Sequence, residues 1–185
     1  QYIFDRLKKR IGFRKKDPKS RLIVSQKDLI IAAQKLHDSM FCLNSNNRPI
    51  LLNQSGSGWN PTESTKYFKE NKIVLVTRDP RDQFAELKQY KKAGSIEGFI
   101  EWYGEMQRRL KLINDPNILI IKFEDFVMNN EKSIKKLCEH MSISPDIKST
   151  YQSNLSKKNI CKFSNLVLQN EIEKIESVFK EYTFN

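Results

Sequence analysis

Short runs of branched apolar residues alternate with amphipathic stretches along this chain, a pattern that predicts strands separated by helices. The apolar runs have the length and composition of strands buried in a parallel sheet, and they cover residues 48–54, 72–77 and 117–126. Apolar positions at helical spacing predict helices over residues 26–43, 79–94, 95–113, 130–141 and 166–179. The alternation favours an α/β fold around a parallel sheet.

The junction between the second apolar run and the next helix carries candidate chemistry. Asp79 is a good N-cap, Pro80 suits the first helical position, and Asp82 is placed to accept from the free amides of the first turn. Arg78 then lies at the carboxyl end of a strand beside a helix N-terminus, where α/β proteins bind ligands and anions. A guanidinium can hold a phosphate or sulfate through two hydrogen bonds. We expect an anion site at Arg78. The alternative is that Arg78 and Arg81 pair with the neighbouring aspartates in a solvated turn.

Composition and charge narrow the class of protein. With 185 residues, 38% hydrophobic and 30% charged, the chain suits one globular domain over residues 1–185 rather than a disordered segment. The net charge of +11 favours anionic partners: a nucleotide, a sulfated glycan, nucleic acid or a membrane surface. Residues 1–21 form a basic segment that predicts either a membrane or nucleic-acid arm or a solvated helix end and loop.

Cysteine spacing and hydropathy indicate what the chain lacks. Cys42, Cys138 and Cys161 form no C-x-x-C pair and no cluster with histidine, so we expect no metal site and no disulfide framework, with Cys42 and Cys138 buried. No apolar run approaches the roughly 20 residues that span a bilayer. No secretory signal is visible, so we expect a cytoplasmic location, although residues preceding Gln1 could carry a targeting or membrane segment.

Residues 72–82, Lys-Ile-Val-Leu-Val-Thr-Arg-Asp-Pro-Arg-Asp, resemble the 3′-phosphate-binding segment of sulfotransferases that use 3′-phosphoadenosine-5′-phosphosulfate (PAPS). The resemblance implies that Arg78 binds the 3′-phosphate of PAPS, and that Arg81 joins either the phosphate or the capping network. The family normally has a serine eight residues after the arginine. Glu86 occupies that position here and would repel a phosphate unless it turned away.

Two later stretches extend the resemblance. The run 117–126 resembles a family strand that ends in Glu-Asp, here Glu124 and Asp125. Residues 156–163, which we name the lysine loop, resemble the loop that closes over the 3′-phosphate, with cationic side chains at Lys157, Lys158 and Lys162. In the lysine loop Cys161 stands in place of a glycine and Phe163 in place of a tryptophan. Without the resemblance, three lysines in a loop would be taken as an exposed face.

The family's loop for the 5′-phosphosulfate has no counterpart before Arg78 in this sequence, and we expect it in a part of the protein that precedes Gln1. The glycine-rich residues 55–58 lack the spacing and the lysine of a phosphate-binding P-loop. Where the cytosolic branch of the family has a Lys-x-His base, this chain has Asn53 and Gln54, so the catalytic residues are not identified.

The resemblance implies a P-loop-NTPase-like three-layer sandwich with a central parallel sheet, incomplete at its N-terminus. It also implies an enzyme that moves a sulfuryl group from PAPS to a hydroxyl or amine of a carbohydrate acceptor. The alternative is a non-catalytic basic module that binds glycan, nucleic acid or membrane through residues 1–21, although nucleic acid is the least expected partner. A nucleotide kinase is disfavoured because the sequence has no P-loop lysine.

Overall fold

The computed structural model describes residues 24–42, 50–52, 59–144 and 151–184. Its contacts divide the chain into two units, residues 1–48 and 49–185. In the first unit the described residues form helix α1 (Gln26–Cys42), as predicted. Ser25 begins this helix, since its hydroxyl oxygen accepts from the Asp28 amide at 3.1 Å. The single domain over residues 1–185 stays a prediction, and the basic residues 1–21 lie outside the described ranges.

The described part of the second unit contains two strands and a series of helices. In chain order these elements are α2 (Pro61–Thr65), β1 (Ile73–Thr77), α3 (Pro80–Gln89), α4 (Ile96–Lys111), β2 (Ile118–Lys122), α5 (Phe123–Met128), α6 (Asn130–Met141), α7 (Ser153–Lys157), α8 (Phe163–Leu166), α9 (Gln169–Phe179) and a final 3₁₀ turn (Lys180–Tyr182). Helix α9 packs against α3 and α4, while α6 packs against α5 and β2.

Strands β1 and β2 pair in parallel, in a register that runs from Ile73 opposite Ile118 to Thr77 opposite Lys122. This pairing brings the carboxyl ends of both strands to one edge, which places the start of α3 beside the start of α5. Mixed helices and parallel strands agree with the predicted α/β class, and the described sheet has two strands. The wider three-layer sandwich stays a prediction.

The strand predicted over residues 48–54 is not found in its described part. Residues 50–52 have no strand conformation and their apolar side chains are exposed, Leu51 at 87%. The rest of that stretch lies outside the described residues. An apolar run becomes a strand only when a neighbour accepts its backbone hydrogen bonds, and residues 50–52 pair with no described strand.

The third apolar run is shorter as a strand than its composition predicted. Strand β2 ends at Lys122, and residues 123–128 form helix α5 instead of continuing to Phe126. Glu124 and Asp125 lie in the first turn of this helix, where the partial positive charge of the free amides favours acidic side chains. The change from strand to helix therefore occurs beside Glu124 and Asp125, the acids that interrupt the apolar run.

Helix α3 also ends earlier than predicted, at Gln89 instead of near Gly94. Lys91 adopts a left-handed conformation with φ of 55°, and the amides of Lys92 and Ala93 both donate to the Leu87 carbonyl, at 2.8 and 3.0 Å. This turn satisfies the last helical carbonyls without a glycine. The final predicted helix is likewise divided, into α8 and α9, by extended backbone at residues 167–168.

Aromatic side chains form the centre of the core between α3, α4 and α9. Phe84 and Phe99 pack at a ring-centroid distance of 4.9 Å, and Tyr103 meets Phe179 edge-on at the same distance. Ile175 of α9 is fully buried among these rings, with 0% of its surface exposed. This cluster fixes α3, the helix whose N-terminus follows Arg78, against the rest of the unit.

The two cysteines whose side chains the structure describes differ in burial. Cys138 is buried, which confirms the prediction for that residue, while Cys161 is exposed, and both are free thiols. The side chain of Cys42 lies outside the described part of the structure. In the described ranges no helix has both the length and the apolar character needed to cross a bilayer, and no group of three or more potential metal ligands occurs.

Replacement of Ile175 by alanine should leave a cavity in the core and lower the free energy of unfolding by about 2–5 kcal/mol. Urea denaturation followed by circular dichroism measures this change. Val178→Ala on the same helix is the control, because Val178 is 55% exposed and should change stability by no more than about 0.5 kcal/mol. Equal effects of the two substitutions would contradict the described core.

Candidate functional site

The turn between β1 and α3 is held by two buried carboxylates. Asp79 caps α3 as predicted, since its Oδ1 accepts from the Arg81 amide at 2.8 Å, and Pro80 is the first helical residue. The Asp79 amide itself donates to Oε1 of Glu124 at 3.0 Å. Because Glu124 lies in the first turn of α5, which directly follows β2, this hydrogen bond ties together the carboxyl ends of the two strands.

Arg78 occupies this edge with its guanidinium group largely covered. Its Nη1 donates to Oε2 of Glu86 at 2.5 Å, its Nη2 donates to the Asn159 carbonyl, and the group lies 5.2 Å from the centre of the Phe123 ring. The side chain is 17% exposed. Its Nε is buried and has no hydrogen-bond partner among the described residues. Glu86 therefore turns toward Arg78, not away from it.

A hydrogen bond from a buried tyrosine fixes the backbone of Arg78. The Tyr103 hydroxyl donates to the Arg78 carbonyl oxygen at 3.0 Å. Burial raises the pKa of Tyr103 above its usual range, so the phenol keeps its proton and remains a donor. Sequence reasoning did not assign this role to Tyr103, since an aromatic residue on a helical stripe gives no signal beyond core packing. Helix α4 thus fixes the position of the Arg78 backbone through Tyr103.

Asp82 joins the lysine loop to the start of α3. Its two carboxylate oxygens accept from the amides of Cys161 at 2.8 Å and Phe163 at 2.9 Å. The sequence predicted instead that Asp82 would accept from amides of its own first turn; this was wrong because Asp79 already caps that turn and the loop amides reach Asp82. Cys161 has φ of 60°, the left-handed conformation that favours glycine, which matches the glycine of the family loop.

The lysine loop brings cationic residues to the same edge as Arg78. Lys157 and Lys158 are exposed and Lys162 is half-buried. Within the described ranges, none of the three lysines forms an ion pair. The hydrogen bond from Arg78 to the Asn159 carbonyl places the backbone of this loop against the guanidinium. The structure thus brings together the two segments singled out from the sequence, and their role in binding stays a prediction.

Arg81 has a different environment from Arg78. Its Nε and Nη2 donate to the two carboxylate oxygens of Asp79 at 3.1 and 2.7 Å, its Nη1 donates to Glu176 at 2.5 Å, and its Nη2 also donates to the Phe184 carbonyl. The guanidinium lies 4.2 Å from the centre of the Phe163 ring. The sequence left two roles open for Arg81, in the phosphate site or in the capping network. In the structure Arg81 lies in the capping network, since it donates to Asp79.

Burial sets the protonation tendency of the acids at this edge. Asp82 and Glu124 are almost completely removed from solvent, and burial raises the pKa of both carboxyl groups above the usual range. Hydrogen bonds from backbone amides and the nearby positive charge of Arg78 oppose this rise in pKa. Oε2 of Glu124 has no hydrogen-bond partner among the described residues. The protonation of these two carboxyl groups therefore makes the stability of the protein depend on pH.

A cleft of about 470 Å³ lies elsewhere on the unit. It is lined by residues 59–62, Arg109 and residues 112–116, and the Arg109 guanidinium stacks 4.9 Å from the centre of the Trp59 ring. Because residues 112–116 lead into the amino end of β2, this cleft is at the opposite edge of the sheet from Arg78. It is therefore separate from the site that the sequence predicted.

Asp82→Ala should release the lysine loop, because two loop amides lose a buried charged acceptor. Each such hydrogen bond contributes roughly 1.5–3 kcal/mol, so amide exchange at residues 161 and 163 should accelerate at least about tenfold. Hydrogen exchange followed by mass spectrometry measures this rate. Asp115→Ala is the control, since Asp115 accepts from one amide of a distant turn. Unchanged exchange in the Asp82 variant would refute the docking role.

Glu124→Gln should flatten the dependence of stability on pH. A carboxyl group whose folded-state pKa is raised contributes stability below its ordinary value of 4.5, and this contribution is lost as pH rises through the folded-state pKa. The wild type should therefore lose more unfolding free energy than Glu124→Gln between about pH 4.5 and pH 8. Urea titrations across this range test the sign. Glu101→Gln, on an exposed position of α4, should keep the wild-type slope.

Comparison with models of known protein families gives a match to this chain. The family model described as a sulfotransferase domain matches residues 59–182, which is more than half of the chain and includes both the Arg78 segment and the lysine loop. No curated protein and no solved structure shows significant similarity to the chain. The match confirms the resemblance seen in the sequence: this chain belongs to the sulfotransferase domain family.

Proposed function

We propose that the protein is a PAPS-dependent sulfotransferase, and that the edge formed by Arg78 and the lysine loop binds the 3′-phosphate end of the donor. Membership of the sulfotransferase domain family supports sulfuryl transfer as the reaction. The observation that carries the donor assignment is the position of the Arg78 guanidinium at the carboxyl end of β1, against the lysine loop. The same proposal includes a P-loop-like sandwich whose parallel sheet is wider than the two strands described.

The residues at this edge fit a phosphate in charge and in hydrogen-bonding capacity. Nε of Arg78 is a buried donor without a partner in the described part of the chain. Lys157 and Lys158 are exposed cations without an ion pair among described residues, and Lys162 is half-buried beside them. A phosphate dianion would be attracted by the positive charge of the lysines and would accept from Nη1 of Arg78, the nitrogen that Glu86 occupies in this structure.

Each residue has a stated part in the proposed reaction. PAPS, when bound, supplies the sulfuryl group on its phosphosulfate. Arg78 binds the 3′-phosphate and so fixes the register of the nucleotide, and the three lysines close over it. Asp82 positions the loop through its two backbone amides. Arg81 supports the site indirectly, because it donates hydrogen bonds to Asp79, the cap of α3, and to the Phe184 carbonyl. We assign no catalytic base.

The proposed acceptor is a hydroxyl or amine of a carbohydrate. A basic chain suits an anionic glycan, since the net charge of +11 attracts polyanions from a distance. Acceptor specificity depends on loops that vary independently of the fold. Screening glycans with radiolabelled donor would test this part separately from donor binding.

Arg78→Ala should weaken the binding of adenosine 3′,5′-bisphosphate by about 10- to 100-fold, because a charged hydrogen-bond pair to a phosphate is lost. Isothermal titration calorimetry measures the change. Adenosine 5′-monophosphate, which lacks the 3′-phosphate, should bind both proteins alike. This second ligand separates a lost phosphate contact from a general disturbance of the loop.

Arg108→Ala is the matched control for this experiment. It removes the same charge from the exposed end of α4, where Arg108 pairs with Glu105. Its affinity for the bisphosphate should equal that of the wild type. If Arg78→Ala and the wild type bind adenosine 3′,5′-bisphosphate equally well, the donor-site assignment is wrong.

A further inference from the structure

The Arg78 guanidinium already holds an anion that belongs to the chain itself. Its Nη1 donates to Oε2 of Glu86 at 2.5 Å, while its Nη2 is engaged by the Asn159 carbonyl. A carboxylate on a guanidinium has the geometry and charge sign of a bound phosphate oxygen. The position that would receive an incoming 3′-phosphate is therefore filled by Glu86.

Helix α3 gives Glu86 no other cation to pair with. The residues three and four positions away along the chain are Asp82, Gln83, Gln89 and Tyr90. Asp82, one turn earlier on the same face, adds a negative charge with its Oδ2 3.8 Å from Nη2 of Arg78. Arg78 is thus the cation that determines where the Glu86 carboxylate lies.

Exposure determines how easily the two members of the pair can separate. The Glu86 side chain is 48% exposed, whereas the Arg78 side chain is 17% exposed and held by the Asn159 carbonyl and the Phe123 ring. Ion pairs with a solvated partner are weak, so the carboxylate can rotate into water at little cost. Arg78 stays in place when Glu86 leaves, which keeps the binding geometry intact.

We infer that Glu86 is a built-in competitor for the 3′-phosphate of the donor, an inference that rests on the function proposed above. A phosphate dianion and the Glu86 carboxylate repel each other and cannot share the same guanidinium edge. Binding of a 3′-phosphorylated nucleotide requires displacement of Glu86. The residue therefore lowers affinity for 3′-phosphorylated nucleotides and reduces discrimination against nucleotides that lack this phosphate.

Glu86→Gln tests the inference, because it keeps the size of the side chain and removes its charge. We expect adenosine 3′,5′-bisphosphate to bind Glu86→Gln about tenfold more tightly than it binds the wild type in calorimetry. The affinity for adenosine 5′-monophosphate should stay unchanged. Glu101→Gln, which removes one negative charge from an exposed site on α4, should leave both affinities at wild-type values.

The double variant Arg78→Ala/Glu86→Gln locates the effect. If Glu86 acts by competing for Arg78, the gain in bisphosphate affinity disappears when Arg78 is absent, and the two substitutions are strongly non-additive. A gain that survives in the double variant, or an equal gain for the monophosphate, would mean a general charge effect and would overturn the inference.

Two remaining outcomes separate this inference from the proposed function. If the wild type binds the bisphosphate through Arg78 but Glu86→Gln binds it no more tightly, the competitor role is wrong and the donor site stands. If neither the wild type nor Glu86→Gln binds the bisphosphate, the donor site itself is wrong and the inference falls with it.

Discussion

Buried carboxylates at the amino end of α3 hold the candidate site together. Asp79 accepts hydrogen bonds from its own helix, from Arg81 and from the Phe184 amide near the other end of the described chain, the last at 2.7 Å. Asp82 docks the lysine loop, and Glu124 accepts from the Asp79 amide. Each of these acids is almost fully buried, so each needs its partners to offset the loss of hydration.

This network gives the two neighbouring arginines different tasks. Arg81 is fully engaged inside the protein and supports the cap of α3. Arg78, three positions earlier, has an unused donor among the described residues and a partner, Glu86, that is open to solvent. Arg78 is held by the protein while Glu86 is open to solvent, so the side chain of Glu86 can determine how tightly Arg78 binds an anionic ligand. The chain belongs to the sulfotransferase domain family, and the ligand that we propose for this arginine is the 3′-phosphate of the sulfuryl donor.

Prediction succeeded where neighbouring residues decide structure and failed where distant ones do. The strand predicted from the apolar run of β1 and the cap predicted at Asp79 are both confirmed. The strand at residues 48–54 is not found in its described part, because pairing needs a partner that composition does not provide. Asp82 was predicted to accept from amides of its own turn but accepts from the lysine loop, and Glu86 turns toward Arg78 instead of away from it.

The sequence by itself determined the strand, the turn and the helix start that carry Arg78, because these depend on side chains within a few positions of each other. It also determined the charge of the lysine loop. Only the tertiary structure decided that Asp82 binds the Cys161 amide, 79 positions away, and that Arg78 lies between Glu86 and the Asn159 carbonyl. Such contacts form when buried polar groups must find partners in the folded chain, and that requirement is met in three dimensions rather than along the sequence.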